Sequence, residues 1–92
     1  MEKEIIYSEI IEIINYYRDR SKSNITIDDI DKMIFGNDLQ GDAYELLGVF
    51  GEIEKHFSIK ITEEKIEKYG FRNIRSIGEM VFEAVNEKNS RN

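Results

Sequence analysis

From Lys3 to Arg18, Ile6, Ile10, Ile13, Ile14 and Tyr17 recur at spacings of three and four, which places one broad apolar stripe along a helix. Ile5, Tyr7 and Ile11 widen it. β-branched isoleucine is a middling helix former, so burial more than intrinsic preference is expected to hold this segment helical. Asp19 to Asn24 is a polar break, after which Ile25-Thr26-Ile27 leads through Asp28-Asp29 into a long connection. Ile27, Ile30, Ile34 and Phe35 are its expected core contacts. Asp28 or Asp29 caps a short helical turn running to about Phe35, and Gly36-Asn37-Asp38 ends it with good turn chemistry.

The pattern predicts a second helix from Asp42 to about Phe57, with Leu46, Leu47, Phe50, Ile53 and Phe57 inward. Asp42 has the type and position of an N-cap, Glu45 completes a capping-box-like pair, and Ala43 is the first helical residue. Gly41 supplies permissive backbone, free of a Cβ penalty at positive φ. Gly48 and Gly51 lie inside the helix, each at a cost of about 1 kcal/mol relative to Ala. Close approach by another backbone, or a shallow surface on which a partner lies flat, would offset that cost.

The loop from Phe57 to Ile61 docks Phe57, Ile59 and Ile61. Thr62 then caps a short third helix through Lys68, with Glu63 and Glu64 in its first turn, Ile66 as its main inward anchor, Tyr69 beside it and Gly70 as its stop. Ser76-Ile77-Gly78-Glu79 reads as a capping box with Ile74 stapled onto Met80. The final helix runs to about Asn86 and buries Ile77, Met80, Val81, Ala84 and Val85. Residues 87–92 are polar and expected to fray.

At 92 residues this is one small domain, 1–92, near the lower end of sizes that fold without metals or disulfides. No proline, helical periodicity and few alternating stretches point to an all-α fold. Without cysteine there is neither a disulfide framework nor a Cys-based zinc site, and a cytoplasmic setting is compatible. No apolar run is long enough to span a membrane, and the charged N-terminus does not read as a signal peptide. Glu2, Glu4, Glu9 and Glu12 oppose a membrane-surface role for the first helix. Nineteen acidic against thirteen basic residues give a net charge of −6, which disfavours nucleic acid and favours a basic partner surface.

The candidate chemistry is sparse. No window meets the ligand spacing of an EF-hand calcium loop. His56 is the only histidine and lacks the companions of a metal site or catalytic triad, so it reads as a surface residue at a helix end. Arg72 and Arg75 read as a solvated basic pair. No nucleophile and base stand out, so an enzyme is not expected. The distinctive stretch is the start of the second helix, where free N–H groups and the macrodipole favour an anion such as phosphate, yet Ala43 offers no atom to bond one.

That stretch, Asp38-Leu39-Gln40-Gly41-Asp42-Ala43-Tyr44-Glu45, continues through Leu47, Phe50, Ile53, Glu54 and Phe57 to Ile59-Lys60-Ile61-Thr62. It resembles the acyl and peptidyl carrier proteins, which carry an Asp-Ser-Leu-like triplet at a helix start after Asp-Leu-Gly-type loop residues. Phe71 to Val81 looks like the family's lead into its last helix, and the resemblance covers roughly positions 26 to 85. It implies a four-helix bundle of the acyl-carrier-protein type, with three longer helices, one short one and a long first connection. It also implies a monomer that is recognised by others and makes no bonds itself. In the family the serine at the position of Ala43 carries 4′-phosphopantetheine, whose thiol holds an acyl or aminoacyl cargo. Ala43 cannot carry it: either a serine has been replaced to block modification, or the chain is a carrier-like docking module that has lost its arm.

On this resemblance Asp42, Ala43 and Tyr44 mark the attachment site. Glu45, Gly48, Gly51, Glu54 and Glu63 form the face that meets a phosphopantetheinyl transferase and loading and transfer enzymes with basic docking surfaces. Arg72 and Arg75 could reach the arm's phosphate. Tyr44 stands where the family has a Leu-like residue, Gly48 where an acidic residue is common, and Gly51 where a larger apolar one is. With Lys55, these glycines point toward a stand-alone carrier of a specialised biosynthetic route, polyketide or nonribosomal peptide, and away from the housekeeping fatty-acid carrier.

Overall fold

Helix α1, Lys3–Tyr17, turns Ile6, Tyr7, Ile10, Ile13 and Ile14 inward as its periodicity requires, and packs against both α2 and α4. Ile5 stays largely outside. The computed structural model describes residues 1–89, and among these the chain is all-helical: α1, a 3₁₀ turn at Ile27–Asp29, α2 at Ala43–Phe57, α3 at Glu63–Tyr69 and α4 at Ile74–Asn89. One contiguous apolar core joins α1, α2 and α4 with Ile25, Ile34 and Leu39 of the first connection.

The inward face of α2 differs from expectation. Val49, Ile53 and Phe57 are buried and Leu46 and Phe50 half-buried, whereas Leu47 is 69% exposed. A 3.6-residue period explains it, because Leu47 falls on the same side as Ala43, Tyr44 and Gly51, opposite the core stripe. Phe50 packs on Phe71 with ring centroids 4.0 Å apart and ring planes tilted by 53°, tying α2 to the lead-in of α4. Ser58, in the left-handed region at φ 55°, ends the helix.

The first connection is held by distant groups. Asn15 of α1 brackets Ile25, its Nδ2 donating to the Ile25 carbonyl and its Oδ1 accepting from the Ile25 N–H, both at 2.9 Å. The Ile34 N–H donates to Arg72 O at 2.8 Å and the Arg75 N–H to Ile30 O at 3.0 Å. The Arg75 guanidinium grips both carboxylate oxygens of Asp31, with Nη2 at 2.9 Å from Oδ2, so Arg75 is not the free solvated residue expected. Thr26, and not Asp28 or Asp29, caps the 3₁₀ turn, while Asp29 returns a bond to the Thr26 N–H at 2.9 Å. The turn ends at Asp29 instead of reaching Phe35. Ile27 and Phe35 remain exposed, and Ile25 and Leu39 supply the buried apolar surface in their place.

Helix α3 begins after Thr62 as expected, with Thr62 Oγ1 accepting from the Lys65 N–H at 3.3 Å. Ile66 is not its anchor and lies 40% exposed. A helix this short carries its apolar contacts at its flanks, Ile61, Tyr69 and Phe71. Across its outer side Lys65 and Lys68 reach Glu83 of α4 at 3.4 and 2.9 Å. Helix α4 starts three residues earlier than expected, most of a turn: Asn73 is the N-cap, its Oδ1 accepting from the Ser76 N–H at 2.8 Å while Ser76 Oγ accepts from the Asn73 N–H at 3.4 Å. Glu87, Lys88 and Asn89 of the expected frayed tail are helical, and Lys88 Nζ donates to Phe57 O at 3.1 Å. Residues 90–92 of that tail lie outside the described residues.

Candidate functional site

The loop before α2 is shaped by two adjacent residues. Gln40 takes the left-handed conformation at φ 56°, whereas Gly41 does not. Gly41 serves close approach instead: its N–H donates to Ile34 O at 2.7 Å, and a Cβ there would lie 2.9 Å from both that oxygen and Ile34 Cγ2. This corrects the expectation that Gly41 supplies the positive φ.

Asp42 then caps α2 as its sequence position suggests. Its Oδ1 accepts from the Glu45 N–H at 2.9 Å, and Glu45 Oε1 accepts from the Asp42 N–H at 3.3 Å. The Glu45 N–H, with Lys22 behind it, holds the Asp42 carboxyl below the usual carboxylate range. Lys22 reaches across from the polar break after α1, its Nζ 3.0 Å from Glu45 Oε2 and 3.5 Å from Asp42 Oδ2. The hydrogen bond to Glu45 raises the Lys22 pKa above its ordinary value. The Asp19 N–H donates to the same Glu45 oxygen at 2.9 Å. Both carboxylates at the helix start are therefore engaged in holding the loop to the helix.

Ala43 follows directly, exposed at the first helical position, with Tyr44 87% exposed beside it and Leu47 one turn on. Together with Gly51 they form one solvent-facing strip. Asp42, Ala43, Tyr44 and Glu45 are thus brought together at one helix start. Gly48 lies beneath the Tyr17 ring, which a Cβ would enter, so it answers to close approach by a side chain of α1. A Cβ at Gly51 would meet nothing within 4 Å. Glu54 is half-buried and its Oε2 accepts from the Ile61 N–H at 2.8 Å, a bond that shapes the α2–α3 loop. Glu63 is exposed in the first turn of α3.

Sequence reasoning assigned Leu47 to the core and passed over Lys22 and Asp19. Leu47 had a signal, since it is three residues from Tyr44 and four from Ala43. Lys22 and Asp19 had none, because they meet Glu45 only through the fold. His56 sits at the surface with Nε2 3.2 Å from Glu9 Oε2. Among the described residues no group of three or more His, Cys, Asp or Glu is placed to hold a metal ion, and no helix is long and apolar enough to cross a membrane. No protein-family model, curated protein or solved structure matches the chain.

Proposed function

We propose that this is a carrier-type helical module whose working position is residue 43. In a form bearing serine there, the start of α2 would hold a 4′-phosphopantetheine arm and present thioester-bound acyl or aminoacyl groups to partner enzymes. The observation that carries the reading is the placement of position 43: first in α2, open to solvent, and directly after a capping aspartate that the Lys22 clamp holds in place. A hydroxyl on this rigid, exposed helix start would be accessible to a transferase. The order of elements, with a long first connection and a short α3, supports a bundle of the acyl-carrier-protein type.

Ala43 itself favours a second reading, a docking module without an arm. The exposed Tyr44 and Leu47 support it, since large apolar groups so open to water are suited to burial against a partner. Intact mass after incubation with coenzyme A and a broad-specificity phosphopantetheinyl transferase separates the two. The Ala43→Ser protein is expected to gain one phosphopantetheine and the Ala43 protein none. If the serine form stays unmodified by several such transferases, the carrier reading falls.

A further inference from the structure

A groove of about 320 Å³ runs between α1 and α2, and position 43 is not among its lining residues. Glu9, Glu12, Ile13 and Tyr16 line it from α1 at helical spacing, and Glu52 and His56 from α2. Ile13 forms an apolar floor, 8% exposed. Tyr16 is 82% exposed and meets Tyr17 edge-on at 5.1 Å between centroids, so two aromatic rings close one end. Glu9 is the carboxylate nearest His56, the groove's only basic lining residue. The side-chain carboxylates of Glu12 and Glu52 have no ion pair or hydrogen bond among the described residues. The closed end also coincides with the C-terminus of α1, whose last turn contains no basic residue and whose C-cap, Arg18, turns its Nε to the Ser23 carbonyl at 2.8 Å.

These features converge on one chemistry. Unpaired carboxylates and a helix C-terminus attract a cation, tyrosine faces bind one through their quadrupole, and an apolar floor accepts an aliphatic stem. A guanidinium suits this better than an ammonium, because its plane can stack on tyrosine while its fork meets a carboxylate. With Tyr16 so exposed, the groove is open along its α1 rim, a shape that takes a side chain projecting from a larger body. We propose that the α1–α2 groove is a docking site for an arginine side chain on a basic segment of a partner protein. This surface is independent of what position 43 bears.

The test uses the full ¹⁵N-labelled chain titrated at low salt with a blocked, alanine-based helical peptide bearing arginines on one face. Saturable shifts are expected at the amides of Glu9, Ile13, Tyr16, Tyr17 and Glu52. The Glu12→Gln/Glu52→Gln double variant should weaken the peptide about tenfold and Tyr16→Ala several-fold. A Glu64→Gln/Glu67→Gln control, with the same change of net charge on α3, should stay within about twofold. These are surface positions, and unchanged far-UV circular dichroism shows each variant folded. Absence of saturable binding, shifts centred elsewhere, or an equal loss in the control pair overturns the proposal. Equal affinity for the lysine version of the peptide overturns the arginine assignment.

Discussion

Gly51→Ala and Gly78→Ala are the same chemical change in helix interiors, and they should move stability in opposite directions. Each removes a glycine whose backbone freedom costs about 1 kcal/mol relative to alanine. At Gly51 the added Cβ meets nothing within 4 Å, so the full gain should appear. For a domain of this size that is a rise in Tm of about 4–8 °C. At Gly78 the Cβ would fall inside the ring of Tyr7. Gly78 is buried and Tyr7 is 7% exposed, so the ring has no solvent to swing into and α1 must shift from α4. Overpacking of this kind costs about 1–3 kcal/mol, and so deep an overlap belongs at the upper end. After the helical gain, a net loss of about 2 kcal/mol remains, or roughly 10 °C. Gly48→Ala should fall between, because the Tyr17 ring above it is only half-buried and can turn outward. Thermal and urea unfolding followed by circular dichroism measure all three. Adding Tyr7→Leu to Gly78→Ala should recover about 1 kcal/mol or more beyond additivity, which ties the loss to the ring. A Gly78→Ala protein more stable than the parent, or a Gly51→Ala protein less stable, refutes the reasoning.

The N-cap of α4 gives a sharp contrast: Asn73→Ala should lose about 1 kcal/mol in urea unfolding, and Ser76→Ala distinctly less, because Ser76 is the reciprocating partner and not the cap. Stability should also fall in acid. Asp42 is held low by the Glu45 N–H, Asp29 by Lys32, Asp31 by Arg75 and Glu83 by Lys68, all below their unfolded values. A depressed folded pKa stabilises above the unfolded pKa and loses that contribution as pH falls through the folded one. The midpoint of urea unfolding should therefore hold steady above about pH 5 and drop below about pH 4. Asp31→Asn should flatten that drop; an unchanged acid limb would remove Asp31–Arg75 from the account.

Local pattern carried the helices and failed where distance in sequence mattered. Ile6, Ile10, Ile13 and Ile14 of α1 repeat without competition and the structure buries all four, with Tyr7 beside them, whereas Tyr17 at the end of the stripe is half-buried and Ile5 exposed. In α2 the adjacent Leu46 and Leu47 both fit an inward stripe. Only the true phase, set by Val49 and Ile53 against α1, decides that Leu47 points out. Asn73 and Ser76 stand three residues apart, each able to cap, and the burial of Ile74 selects the earlier start. The first connection was least legible, because Asn15, Arg72 and Arg75 hold it from 10 or more residues away, outside any local window. The candidate site divides the same way: the Asp42–Glu45 box is local and was read correctly, whereas Lys22 is brought in by the fold.

Lys22 also changes what the start of α2 offers to a partner. Acidic residues around a helix start suggest electrostatic steering, but Glu45 already accepts from Lys22, the Asp19 N–H and the Asp42 N–H, and Asp42 from the Glu45 N–H. A partner cation would have to displace these bonds, and with them the loop that positions residue 43. What stands free on this face is apolar: Ala43, Tyr44 and Leu47, beside the open space at Gly51. The unengaged carboxylates Glu12 and Glu52 lie on the α1–α2 groove instead. A partner meeting both surfaces would thus present an apolar patch to the start of α2 and its positive charge to the groove, with charge governing the rate of encounter and apolar burial its lifetime.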